Sequence, residues 1–170
     1  GFRGFRGGIS IDASDAAWLG IVDEDVVNVA TQWLGKFAPD GSYVGRWGRD
    51  GSSQTPFRNL NHVDVADDGV VRVLENRQVD WSNRVACFDG NGGYLNQWWA
   101  GATSLSRGMR GLEVDAAGHL HVCNGSAVGV FDEHDNQLRV YGDSGPGRLQ
   151  NAHDVAIDGN GTTWVAVRPT

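Results

Sequence analysis

Two kinds of side chain in this sequence are arranged so that they could do chemistry. His153 stands in the string AHDVAIDGNGTTWV, where a neutral imidazole beside an aspartate can serve as a metal ligand or as a hydrogen-bonded rim group. The strings DGNGGY from Asp89 and DGNGTT from Asp158 begin like calcium loops, but the glycine at loop position 6 and the glutamate at position 12 are missing. D-G and N-G pairs also suit hairpin turns that need positive φ, and that reading is preferred here. Asp23, Glu24 and Asp25 make an acidic loop that either helps to hold a cation or is simply solvated.

Composition narrows what such groups can serve. The chain has 170 residues, enough for one domain with its own core. Its formal charge of −7 disfavours phosphate backbones and anionic lipid, so nucleic acid is not an expected partner. The absence of a long apolar run predicts no membrane span. Lys36 is the only lysine, and the remaining cations are arginines, which suit planar, bidentate or stacked contacts. Cys87 and Cys123 sit in apolar stretches, RVACF and LHVCN, without C-x-x-C spacing, and read as small core residues with a disulfide left open. The opening GFRGFRGG reads as the inside of a longer or processed chain, and an extracellular or periplasmic location is expected.

The elements that would position these groups come from an internal repeat. Anchored on Phe37, Phe88 and Phe131, three segments agree: a polar turn follows, then Val44, Leu95 or Leu138, then Trp47, Trp98 or Tyr141. A second anchor precedes two of them and recurs once more: NHVDVADDGVVRVLEN from Asn61, RGLEVDAAGHLHVCN from Arg110 and HDVAIDGNGTTWVAV from His153. The weaker GISIDASDAAWLGIVD opens the chain. Val63 and Val65, then Val71 and Val73 across a D-D-G turn, alternate with period two, as the strands of a hairpin do. Four short antiparallel strands in a unit of about 43 to 54 residues are the signature of a propeller blade. The expected fold is therefore all-β, a β-propeller of four-stranded antiparallel blades forming an incomplete ring. Residues 1–170 are one propeller domain or fragment, with blades near 8–50, 60–101 and 109–145 and a half blade near 152–167.

NRVACFDGNGGYLNQW resembles the N-x-R-V-x-x-F-D-x-x-G-x-F/L core of NHL repeats, and MRGLEVDAAGHLHV resembles their P-x-G-I-A-V-D-x-x-G-x-I-Y-V segment with Met109 in the proline slot. GRLQNAHDVAIDGNGTTWVAV matches the same segment with Ala152 in that slot. The resemblance covers roughly residues 40 to 167. It implies that the residue just before each first strand rims the channel mouth: Asn61, Arg110 and His153. In the NHL-like peptidyl-amidoglycolate lyases, histidines at this position bind catalytic zinc, and AHDVAIDGNGTTWV is similar to one of their segments. His153 alone matches. His62 is one residue out of phase and is expected to point to the other sheet face.

No G-x-S-x-G elbow or phosphate-binding loop occurs, and the G-D-S-G in GDSGPGR from Gly142 falls in an inter-blade loop, so nucleophilic catalysis has little support. The loop face also carries Arg49, Arg58, Arg107 and Arg148, with Trp81 in an inserted loop, and arginine and tryptophan are the types that dominate binding hot spots. The expected function is a non-catalytic module that binds a protein or peptide through this face without a cofactor. The alternative is a metal-dependent lyase or hydrolase using zinc or calcium, with His153 as a weak metal candidate. Three and a half blades leave open ends, so the chain is expected to pair with another copy, as a homo-oligomer, or to belong to a larger propeller.

Overall fold

A computed structural model of the chain describes residues 2–23, 32–52, 55–76, 83–99, 108–134 and 136–168. The period-two segments become fourteen strands, and among the described residues there is no helix. Strands β1 (Phe2–Ile11), β2 (Ala17–Asp23), β3 (Gln32–Phe37) and β4 (Tyr43–Trp47) pair in that order as one antiparallel sheet. The same order recurs in β5 (Leu60–Val65), β6 (Val71–Asn76), β7 (Asn83–Phe88) and β8 (Tyr94–Trp99). It recurs again in β9 (Gly111–Val114), β10 (Leu120–Cys123), β11 (Val128–Phe131) and β12 (Gln137–Tyr141). Strands β13 (Ala152–Ile157) and β14 (Thr163–Val167) form a two-stranded end. β1 begins at Phe2, where the sequence reading opens the first blade near residue 8: Phe2–Arg6 pairs with β2 beyond an irregularity at Gly7 and Gly8 that hides the alternation.

Turn chemistry explains why the strands reverse where they do. Asp89 Oδ1 accepts the N–H groups of Asn91 and Gly93, and Asp158 Oδ1 accepts those of Asn160 and Thr162, so both candidate calcium loops are aspartate-capped hairpin turns. Gly92 and Gly161 complete them at φ of 82° and 79°. In three turns the aspartate also holds the ring six residues on: Trp18 Nε1 donates to Asp12 at 2.9 Å, Trp164 Nε1 to Asp158 at 3.2 Å, and His121 Nε2 lies 3.2 Å from Asp115.

The core lies between sheets. On β6, Val71 and Val73 face the first sheet, joining Trp18, Leu34, Ala86 and Phe88, whereas Leu74 faces the third, joining Val85, Trp98, Met109, Leu112 and Phe131. A smaller cluster of Cys123, Val128, Ala152 and Val155 joins the third sheet to the two-stranded end. Both cysteines are free thiols; Cys123 is buried, but Cys87 is only partly so, which corrects the expectation of two core residues. Cys87 still packs against the cluster between the second and third sheets that contains Val85 and Phe131.

One ion pair is embedded in this packing. Arg84 Nε donates to Glu75 Oε2 at 2.6 Å, Glu75 Oε1 accepts the Arg58 N–H at 2.7 Å, and Glu75 is fully buried. Removing one partner of such a pair strands the other charge away from water. Glu75→Ala should therefore lower unfolding free energy by about 3–5 kcal/mol, read as a fall in urea midpoint.

Candidate functional site

The first strands β1, β5, β9 and β13 lie side by side, so their starts converge at one end of the inner surface. Each start is irregular. The register of β5 against β6 slips between Leu60 and His62, leaving Asn61 as the extra residue, and that of β13 slips between Ala152 and Asp154, leaving His153. In the third sheet the Arg110 N–H bonds Cys123 O at 2.9 Å while Gly111 also faces Cys123, so Arg110 occupies the same place. A bulge sets two residues against one and turns the strand. The residue before each bulge, Leu60, Met109 or Ala152, is buried as an anchor.

The consequence is a cleft of about 610 Å³ lined by Gly7, Gly8, Asn61, His62, Arg110, His153 and Asp154. Asn61, Arg110 and His153 thus line one cleft. His62 corrects the expectation: the bulge at Asn61 cancels the one-residue offset, and His62 lines the same cleft with Nδ1 3.7 Å from Asp154 Oδ1. The first sheet contributes backbone instead of side chains. A Cβ on Gly8 would lie 2.8 Å from the His62 ring, so glycine there lets the imidazole lie against β1.

Hydrogen bonding assigns roles. Arg110 Nη1 lies 2.7 Å from His153 Nε2. A guanidinium can only donate, so Nε2 accepts and the ring proton sits on Nδ1. The lone pair a metal would need is already engaged by a cation. Among the described residues, no three His, Cys, Asp or Glu side chains are placed as a metal-binding group. Asn61 Nδ2 donates to Met109 O at 3.0 Å, and Asn76 Nδ2 donates to the same oxygen at 2.8 Å, tying the second sheet to the third beneath the rim.

Two further carboxylates belong to this surface and were not singled out from the sequence. Asp64 is buried, accepts a hydrogen bond from Ser10 Oγ at 3.4 Å, and has its pKa raised by burial against the opposing charges of His62 and Arg72. Glu113 is pushed up to about 7 by burial, reinforced by the charges of Asp64 and Asp154. The aligned strings NHVDV, RGLEV and HDVAI carry the missed signal: their second positions are His62, Gly111 and Asp154, and their fourth are Asp64, Glu113 and Ala156.

The other predicted rim residues are peripheral. Arg58 is exposed ahead of β5, and Arg148 is exposed in the loop before β13; neither lines the cleft. Trp81 and Arg107 lie outside the described residues, as do Glu24 and Asp25.

With this geometry in hand, the comparison with solved structures defines the class of fold. The chain is similar to a Bacteroides caccae protein of unknown function (TM-score 0.63, 12% identity, 96% of this chain and 54% of that one). It is also similar to the Dos1 propeller (TM-score 0.61, 10% identity, 96% of this chain and 38% of that one). A third is the extracellular domain of a hybrid two-component system from B. thetaiotaomicron (TM-score 0.59, 13% identity, 95% of this chain and 20% of that one). No protein-family model matches the sequence, and no curated protein matches it closely enough to be a relative. The protein is an incomplete β-propeller with three four-stranded blades and a two-stranded end, spanning about half the length of the B. caccae protein or less in the others.

Glu113 gives the site a pH signature. A carboxyl whose folded pKa is raised above the unfolded value of 4.5 binds its proton more tightly when folded. Its contribution is therefore fully present below pH 4.5 and is lost as pH rises through about 7. Glu113→Gln should flatten the decline in stability across that window and raise the urea midpoint above it relative to wild type.

Proposed function

We propose that the chain is a non-catalytic, NHL-like propeller module whose channel mouth binds a protein or peptide. The observation that carries this reading is the Arg110–His153 pair at the edge of the cleft. One guanidinium nitrogen is held by the histidine, which orients the rest of the planar group for a bidentate acceptor such as a peptide carboxylate. The flanking His62 and Asp154 add a donor and an acceptor at fixed positions, which favours an extended polar segment over an apolar ligand. Arg58 and Arg148, with Arg107 and Trp81, would then act at the periphery of a larger partner.

A zinc- or calcium-dependent lyase or hydrolase built on His153 is the poorer reading, because a dication at Nε2 would have to displace an arginine and sit beside its charge. The similarity to an extracellular domain supports an extracellular or periplasmic location for this chain. The open ends support assembly, either with another copy or with the remainder of a larger propeller.

An array of peptides varying in acidic content and in free versus amidated C-termini tests the binding reading. Carboxylate-bearing peptides should be retained by the wild type, and Arg110→Ala should weaken them about 30-fold, the loss of roughly 2 kcal/mol expected at a hot spot. Equal retention by the two proteins would overturn it, as would stoichiometric zinc in purified wild type that is lost in His153→Ala.

A further inference from the structure

Pairing registers make Trp18, Arg72, His121 and Trp164 equivalent, each on the second strand of its sheet and opposite Ser10, Asp64, Glu113 or Ala156 on the first. In three of the sheets this position is a ring held by the turn aspartate six residues back, Asp12, Asp115 or Asp158. The second sheet departs from the pattern twice: Ala66 stands in the aspartate's place and Arg72 in the ring's. With no carboxylate at residue 66, the Arg72 guanidinium turns to Asp68 in its own hairpin, Nη2 to Oδ2 at 2.8 Å and Nη1 to Oδ1 at 3.2 Å.

Between the first and second sheets the ring fills the gap. Trp18 is fully buried, its ring lies 5.4 Å from that of Trp47, and the Lys36 ammonium sits 4.6 Å over it while donating to Gly90 O of the second sheet at 3.0 Å. Between the second and third sheets the same place is a hollow of about 490 Å³, lined by Arg72, Cys87, Asn96 and Trp98 on one side and by Leu120 and Glu133 on the other. By register, Trp98 stands where Trp47 does, Cys87 where Lys36 does and Glu133 where Gly90 does. The stacking partner is therefore in place, the ring and the ammonium are not, and the facing wall carries a carboxylate besides. Both flanking sheets are four-stranded, and each lies between neighbours within this chain.

We propose that this hollow binds a small aromatic amine, its ring taking the place of the missing side chain against Trp98 and its ammonium meeting Glu133. The site is separate from the cleft that carries Arg110 and His153, with which it shares no lining residue. The charge of the ligand follows from the pairing on the walls. Arg72 is matched by Asp68, so the charges left facing the hollow are those of Asp132 and Glu133. Asp132 Oδ1 is occupied by the N–H groups of His134 and Asn136, whereas the Glu133 side chain is exposed and free to turn inward, with only His134 Nδ1 at 3.7 Å. The ring follows from repetition: an indole is what the first gap holds, at a centroid distance within the range of about 4.5–7 Å that aromatic pairs prefer. The hollow is also of the size typical of small-molecule sites, about 300–1,000 Å³.

Calorimetric titration of the 170-residue chain with tryptamine tests this. Tryptamine should bind with a Kd of about 1 mM or tighter, and indole-3-propionate, an anion of similar size, at least about 10-fold more weakly. Glu133→Gln should weaken tryptamine about 3-fold without moving the urea midpoint, because the side chain is exposed. Ala66→Asp combined with Arg72→Trp restores the capped ring of the other sheets, so this double variant should lose tryptamine binding and unfold at a higher urea midpoint. Alkylation of Cys87 by iodoacetamide, mapped by mass spectrometry, locates the probe without any variant. Tryptamine at about five times its Kd should slow that reaction about 5-fold, since Cys87 lines the hollow. Cys123, buried and with its thiol pushed up to about 11 by that burial, should react slowly with or without the amine. No saturable binding, equally tight binding of the propionate, a folded double variant that still binds, or unchanged alkylation of Cys87 would each overturn the proposal.

Discussion

Each full sheet in this protein is apolar on both sides and four short strands wide, so it can leave water only by lying between neighbours. That constraint organises the rest. Alternate residues of a strand belong to different clusters: Val73 packs against the blade before it and Leu74 against the blade after it. The hydrophobic effect acts along the row of blades, and stability depends on nearest-neighbour contacts as in other repeat architectures. The buried Glu75–Arg84 pair is a local exception, tolerable because hydrogen bonds meet both oxygens of the carboxylate. In the first blade the same two register positions are Ile21 and Trp33, which fill the space with apolar surface instead.

The cleft is a by-product of how the blades begin. Bulges at Asn61 and His153 turn the chain as it enters β5 and β13, and Arg110 holds the corresponding place just before β9. Polar side chains from different blades then meet at one place without sequence proximity. Gly7 and Gly8 make room from the first blade, so the cleft is asymmetric, with arginine and histidine on one side and bare backbone on the other. Beneath it, Asp64 and Glu113 are held where burial opposes ionisation, which places a titrating acidic layer below a cationic rim.

Much of this was legible in the order of residues. The Phe anchors, the turn aspartates and the period-two runs give the four-stranded units and their strand order, because turn chemistry and alternation are local; the rim positions of Asn61, Arg110 and His153 came only with the NHL resemblance. His62 was misplaced for a physical reason. Strict alternation assigns faces only while the register is unbroken, and a bulge is invisible to a rule based on parity. Asp64 and Glu113 were missed, as was Asp154, because their significance comes from one another, about 40 to 90 residues apart in sequence and brought close only by the inner strands.

The sequence by itself determined that this chain is a row of blades with turns capped by aspartate, since propensity, alternation and repetition agree at every level. Only the tertiary structure decided which groups share the cleft, that His153 accepts from Arg110, and that Trp164 is exposed while Trp18 is buried. The difference is physical: strand and turn formation depend on residues a few positions apart, whereas protonation, pairing and burial depend on whichever blade comes to lie alongside.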